Sequence, residues 1–136
     1  IRYLKDAGLS PKFVLETHAH ADHLTGSQVF KEYFPEVQVM INERITIVQD
    51  LFKSVFNLDK KFAVDGSQFD ALLKIGESYR FGGLEFEVLA TPGHTPACTT
   101  FFVDGKALFT GDALFMPDYG TGRCDFPAGS AEDLYD

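Results

Sequence analysis

Three of the four histidines fall within six residues, in Thr17-His18-Ala19-His20-Ala21-Asp22-His23, and the fourth, His94, sits in Thr91-Pro92-Gly93-His94-Thr95. Neutral imidazole and carboxylate hold first-row divalent metals, and His is the commonest such ligand. An isolated His is usually a satisfied core or surface group. Four in two tight clusters, with Asp22 interleaved, point to a metal site. His18 and His20, two apart in extended chain, face the same way. Asp22 and His23 then fall where the next helix begins, placed to serve a second ion. The positive end of that helix favours a hydroxide or substrate anion beside the cations. Asp112, in Gly111-Asp112, can bridge. Asp22 and Asp112 are the candidate catalytic carboxylates. One divalent ion here lowers the pKa of bound water to about 7 and polarises a carbonyl.

The elements that must position these groups follow from periodicity and punctuation. Ile1, Leu4 and Ala7 repeat at helical spacing until Gly8 stops the run, which predicts a helix over 1–7. Phe13–Glu16 reads as a buried strand running into the His cluster. Leu24 to Phe34 reads as a helix with Leu24, Ser27, Val29, Phe30 and Phe34 available for its buried face, ended by Pro35. Val37–Ile41 is a second strand. Asn42 can cap a helix from Glu43 to Phe56, whose stripe of Ile45, Val48, Phe52 and Val55 is packing rather than a cofactor box. Residues 57–76 carry no clear period and read as a substrate-side loop. Gly82-Gly83 joins Ser78–Phe81 to Leu84–Ala90, and Asp104-Gly105 joins Thr99–Val103 to Lys106–Thr110, giving two hairpins. Gly111 to Gly129 is a long loop.

This order, αβαβα followed by four strands, predicts an α/β layered domain spanning 1–136. Three strands end in metal-type residues: Phe13–Glu16 before His18, Leu84–Ala90 before His94, and Lys106–Thr110 before Asp112. Ligand sites of layered α/β folds gather beyond the carboxyl ends of strands. Pro92 and Gly93 allow a sharp turn before His94, and Gly111 allows close backbone approach before Asp112.

Bulk properties narrow the function classes. The net charge is −8, with no basic stripe, which excludes a phosphate-backbone binder. No apolar run approaches the roughly 20 residues that span a bilayer, and no signal peptide is visible. Two cysteines, Cys98 and Cys124, make no disulfide framework, so a reducing cytoplasm is expected. The chain opens at Ile1 within a helix and closes as Ser130 caps another, so a fragment of a longer protein is expected. A sheet lacking outer strands would leave unpaired edges, through which homo-oligomers could form.

The run His18-Ala19-His20-Ala21-Asp22-His23, with His94 in a Pro-Gly-His-Thr turn and Gly111-Asp112 after a later strand, resembles the metallo-β-lactamase superfamily over residues 13–129. The resemblance implies a layered αββα sandwich, truncated at both ends. It also implies a first metal site of His18, His20 and His94, and a second of Asp22 and His23 with Asp112 bridging. The bridging position is Asp, where one major class of true β-lactamases has Cys, which argues against antibiotic hydrolysis.

Thr91-Pro92-Gly93-His94-Thr95-Pro96-Ala97-Cys98 and Gly120-Thr121-Gly122-Arg123-Cys124-Asp125-Phe126 narrow the resemblance to the glyoxalase II and persulfide dioxygenase branch, nearer its dioxygenase side. That implies a single ferrous ion on His18, His94 and Asp112, the two-His, one-carboxylate set of oxygen-activating iron. His20, Asp22 and His23 would orient those ligands, and the substrate would be a small thiol-derived persulfide such as that of glutathione. The rival is a zinc-dependent thioester hydrolase with two filled sites, and a third reading is a non-catalytic metal-binding fragment. No His follows His94, although the family takes a last ligand for its second site from further along. One tightly bound ion, Fe(II) or Zn(II), is therefore expected, with two as the alternative.

Other residues read more plainly. Cys98 is a small buried hydrophobe; Cys124 is an exposed thiol or packing. Arg123 either contacts Asp125 or Asp112 or meets the anionic end of a substrate. Met116 reads as packing, Tyr119 as a loop aromatic, and Glu85 and Glu87 as the solvent face of a hairpin.

Overall fold

A computed structural model of the chain describes residues 1–20 and 24–136. Asp22 and His23, expected at the second metal position, lie outside the described residues. The elements are α1 (Arg2–Asp6), β1 (Phe13–Leu15), α2 (Ser27–Tyr33), β2 (Gln38–Asn42), α3 (Ile45–Val55), β3 (Ala71–Leu73), β4 (Ser78–Phe81), β5 (Leu84–Ala90), β6 (Thr99–Val103), β7 (Ala107–Phe109), a 3-10 turn (Gly111–Ala113) and α4 (Ala131–Tyr135).

Strands β1, β2 and β3 form a parallel sheet in that order, and β4 to β7 form an antiparallel meander. Alternation along β2 sends Met40 to one face and Ile41 to the other. On the Ile41 side, Ile45 and Val48 of α3 pack with Ala97, Phe52 and Leu72. On the Met40 side, Leu15 and Leu73 meet Phe86, Val88, Phe101 and Val103 of the antiparallel sheet. The layers are therefore helix, parallel sheet, antiparallel sheet, with α4 seated against the turn at Gly93. Ile41 is 0 % exposed, and truncating such a residue to Ala costs about 2–5 kcal/mol.

Several local expectations need correction, and one of them is the packing reading of Met116, which is 71 % exposed. The second helix begins at Ser27, not Leu24, because the Thr25 hydroxyl donates to Glu16 and accepts the Ser27 N–H, diverting the chain before the helix. Leu24 is 98 % exposed and Val29 is exposed, so neither belongs to the buried face. The third helix begins at Ile45, since Asn42 Oδ1 accepts the Arg44 N–H and turns the chain first; Val55 of the expected stripe is exposed. The stretch 57–76 contains β3, whose three residues are too few to show a period and whose pairing depends on distant β2. Asp70 fixes the entry to that pairing: its N–H donates to the Val39 carbonyl while its carboxylate accepts the Val39 N–H. Both expected hairpins are present.

Candidate metal centre

The parallel sheet delivers the first ligand candidates. β1 ends at Leu15, and the Thr17 carbonyl accepts the Thr99 N–H at the start of β6, tying the His-bearing segment to the second sheet. His18 and His20 both follow within three residues and both are buried, at 8 % and 7 % exposure. β5 ends at Ala90 and leads into the turn that carries His94, which is 3 % exposed. Gly93 makes that turn with φ 131°, a value L side chains rarely adopt, and a Cβ there would fall on the backbone of α4 at Leu134. β7 leads into the 3-10 turn bearing Asp112. Gly111, at φ 53°, lets this turn press on Thr17, whose Oγ1 would lie 2.5 Å from an added Cβ.

Three strand ends thus converge. Ring nitrogens of His18, His20 and His94 all lie within 4.8 Å of one another. His20 Nδ1 is 2.9 Å from His94 Nε2. Asp112 Oδ2 is 3.3 Å from His94 Nε2 and 3.7 Å from His18 Nε2. Nitrogen ligands sit about 2.0–2.1 Å from a zinc-sized ion, so two on one ion are roughly 3 Å apart. The donor set is neutral imidazole and carboxylate, and its spacing fits such an ion.

The far side of each ring is occupied as well. His94 Nδ1 lies 2.7 Å from the Arg123 carbonyl. A carbonyl only accepts, so Nδ1 carries a proton, and the tautomer this selects is the one whose Nε2 can present a lone pair to an ion at the centre. Thr17 Oγ1 is 3.2 Å from His18 Nδ1, leaving His18 Nε2 facing Asp112. The Phe126 ring meets the His20 ring edge-on, centroids 4.3 Å apart.

The profile of the metallo-beta-lactamase superfamily matches residues 1–136. The chain belongs to this superfamily. It is 48 % identical over 135 residues to glyoxylase B2 of Dictyostelium discoideum, covering 99 % of this chain and 46 % of that protein. It is 36 % identical over 133 residues to the human mitochondrial persulfide dioxygenase ETHE1, covering 97 % of this chain and 44 % of that protein. Among solved structures, ETHE1 from Myxococcus xanthus superposes with a TM-score of 0.72 at 32 % identity, covering 99 % of this chain and 49 % of that one. The chain spans about half the length of these metallo-beta-lactamase relatives. The layered α/β architecture expected from sequence is that of the superfamily.

The structure brings together His18, His20, His94 and Asp112 of the expected set. Arg123 has a half-exposed side chain 3.9 Å from Asp125, and its main-chain carbonyl reaches His94 Nδ1. Sequence reasoning missed the roles of Thr17, Gly122 and Phe126. Phe126 had been read only as part of a motif, and nothing in the spacing of Thr17 or Gly122 marks which ring each touches. Cys98 is buried, its Sγ 3.3 Å from the Thr95 N–H and 3.2 Å from Thr95 Oγ1, and burial pushes its thiol up from the ordinary range. None of the helices among the described residues is long and apolar enough to cross a membrane.

Proposed function

We propose that the protein is a persulfide dioxygenase that holds one ferrous ion on His18, His94 and Asp112. The observation that carries the reading is the triangle of His18 Nε2, His94 Nε2 and Asp112 Oδ2, with the carboxylate oxygen 3.7 and 3.3 Å from the two rings. Two His and one carboxylate leave positions open on iron, which supplies the redox chemistry that dioxygen requires. The overall reaction converts a persulfide, dioxygen and water into a thiol and sulfite. The relationship to two ETHE1 proteins, in sequence and in fold, supports the assignment.

The chain's own residues have distinct tasks in this reading. The Arg123 carbonyl holds the His94 proton on Nδ1, keeping Nε2 available. The Arg123 guanidinium, beyond the Phe126 ring at 5.8 Å, is offered to a carboxylate of a glutathione-like substrate. His20, Asp22 and His23 are assigned in this reading to orienting the ligands, the last two on their place in the motif alone. The two free thiols suit a reducing compartment, for which we propose the cytoplasm.

A second reading, thioester hydrolysis with zinc, is favoured by a specific observation. His20 Nδ1 stands 2.9 Å from His94 Nε2, which completes a three-His set with His18, and the relative at 48 % identity is named glyoxylase B2. Presenting Nδ1 to an ion requires His20 to carry its proton on Nε2.

Oxygen uptake decides between them. Ferrous protein with glutathione persulfide should consume oxygen and release sulfite, while zinc-loaded protein gives no turnover. Brisk thioester cleavage without oxygen would overturn the dioxygenase reading in favour of the hydrolase.

A further inference from the structure

The loop 120–130 crosses over the candidate centre, and three of its residues touch three of the four candidate ligands. The Gly122 N–H donates to the Asp112 carbonyl at 2.9 Å. The Arg123 carbonyl accepts His94 Nδ1–H at 2.7 Å. The Phe126 ring stands edge-on to His20 and also meets Phe52 of α3 at 5.8 Å, so the far end of the segment is anchored in the helix layer. Gly122 is buried, and there is no room at its α-carbon. A Cβ would fall on the Asp112 carbonyl oxygen, lie 3.0 Å from His94 Nδ1 and 3.1 Å from Asp112 Cβ. Two of those three atoms are main chain or Cβ and cannot swing aside.

We propose that Gly122–Phe126 is a positioning clamp for the metal centre, and that Gly122 is the residue on which it depends. The inference rests on the reading that His94 and Asp112 hold the ion. On Asp112 and His94 the clamp acts through the main chain, and the Phe126 ring anchors its far end. By docking against Asp112 and His94 together, it sets the distance between two groups that arrive on different strands. By offering His94 a carbonyl, it also selects the tautomer whose Nε2 can bind metal. Thr17 does not have this second effect on His18, because a hydroxyl can donate or accept. Groups that orient a metal ligand in this way typically change affinity by about 10- to 100-fold when lost.

In the ion-free protein, 15N NMR of the imidazoles should show His94 protonated at Nδ1, and Gly122→Ala should convert this to a mixture of tautomers. Zinc affinity, measured by competition with a chromophoric chelator, should fall about 10- to 100-fold in Gly122→Ala. Phe126→Leu, which retains apolar bulk but loses the edge-on ring contact, should weaken zinc binding while its melting temperature stays close to the parent's; it carries the test should Gly122→Ala not fold. Unchanged tautomer and unchanged affinity in folded Gly122→Ala would overturn the clamp. Absence of zinc binding by the parent protein would count against the metal reading alone, because the His94 tautomer reports on the clamp without any ion.

Discussion

His94 is gripped at both ring nitrogens, by the Arg123 carbonyl on Nδ1 and by His20 and Asp112 around Nε2. On the proposed metal assignment, His18→Ala, His94→Ala and Asp112→Ala should each abolish tight metal binding, with one equivalent held by the parent chain. Elemental analysis after careful loading checks this, and two tightly held equivalents would contradict it. Cys98 invites a different experiment. Its thiol is buried and pushed up, so it should resist alkylation in the folded protein, whereas the half-buried Cys124 should react first. Mass spectrometry of protein treated with iodoacetamide reads the order directly. Asp70 is a structural counterpart. The Lys31 ammonium, 2.6 Å away, and the Val39 N–H hold its carboxyl below the usual carboxylate range. A lowered folded pKa contributes stability above the unfolded value of about 3.9 and loses it as pH falls through the folded one. Asp70→Asn should therefore lower the melting temperature at pH 7 and shrink the difference from the parent below about pH 4. An equal difference at both pH values would show that this carboxylate does not link folding to pH.

At the scale of elements, the turn between β5 and β6 is fixed from two sides. Its Gly93 carbonyl accepts the Ser130 N–H at 2.8 Å, Ser130 Oγ caps α4 by accepting the Asp133 N–H, and Leu134 covers the α-carbon of Gly93. The helix thus supports the turn that carries His94, although it contributes no candidate ligand itself. Gly93→Ala should strain the backbone by about 1–3 kcal/mol and displace α4. A drop in melting temperature together with weaker metal binding is the expected result. A loss of stability with intact metal affinity would show that the turn tolerates the shift of α4. The two hairpins behave differently: Asp104 and Gly105 take positive φ at 50° and 64°, and nothing crowds Gly105, so that turn serves only the strands.

Across the whole molecule, apolar surface is unevenly shared. The parallel sheet is covered by α3, whereas the β7 edge and the loop after it expose Leu108, Phe109, Leu114, Met116 and Tyr119. An edge strand with apolar side chains is a template for association. We expect the 136-residue chain to self-associate through β7 in a concentration-dependent way, and Leu108→Lys to reduce this. Light scattering over a dilution series tests it; a monodisperse monomer at every concentration would remove the expectation.

The sequence by itself determined which side chains are the candidates for chemistry and, for His18, His20, His94 and Asp112, that they follow the ends of strands. The reason is local: ligand type is written in single residues, and hairpins and strand ends in spacings of a few positions, as in Gly82-Gly83 and in the His18-to-His20 interval. Tertiary structure decided everything that depends on partners far along the chain. His20 and His94 are 74 residues apart, and only the docking of the segment after β1 against the start of β6, through the Thr99 N–H and the Thr17 carbonyl, sets which ring nitrogens meet. β3 exists because β2 offers it a ladder, and three residues carry no period that could announce it. Gly122 reads in sequence as one loop glycine among several, yet it is the crowding of Asp112 and His94 around its α-carbon that makes a side chain there untenable.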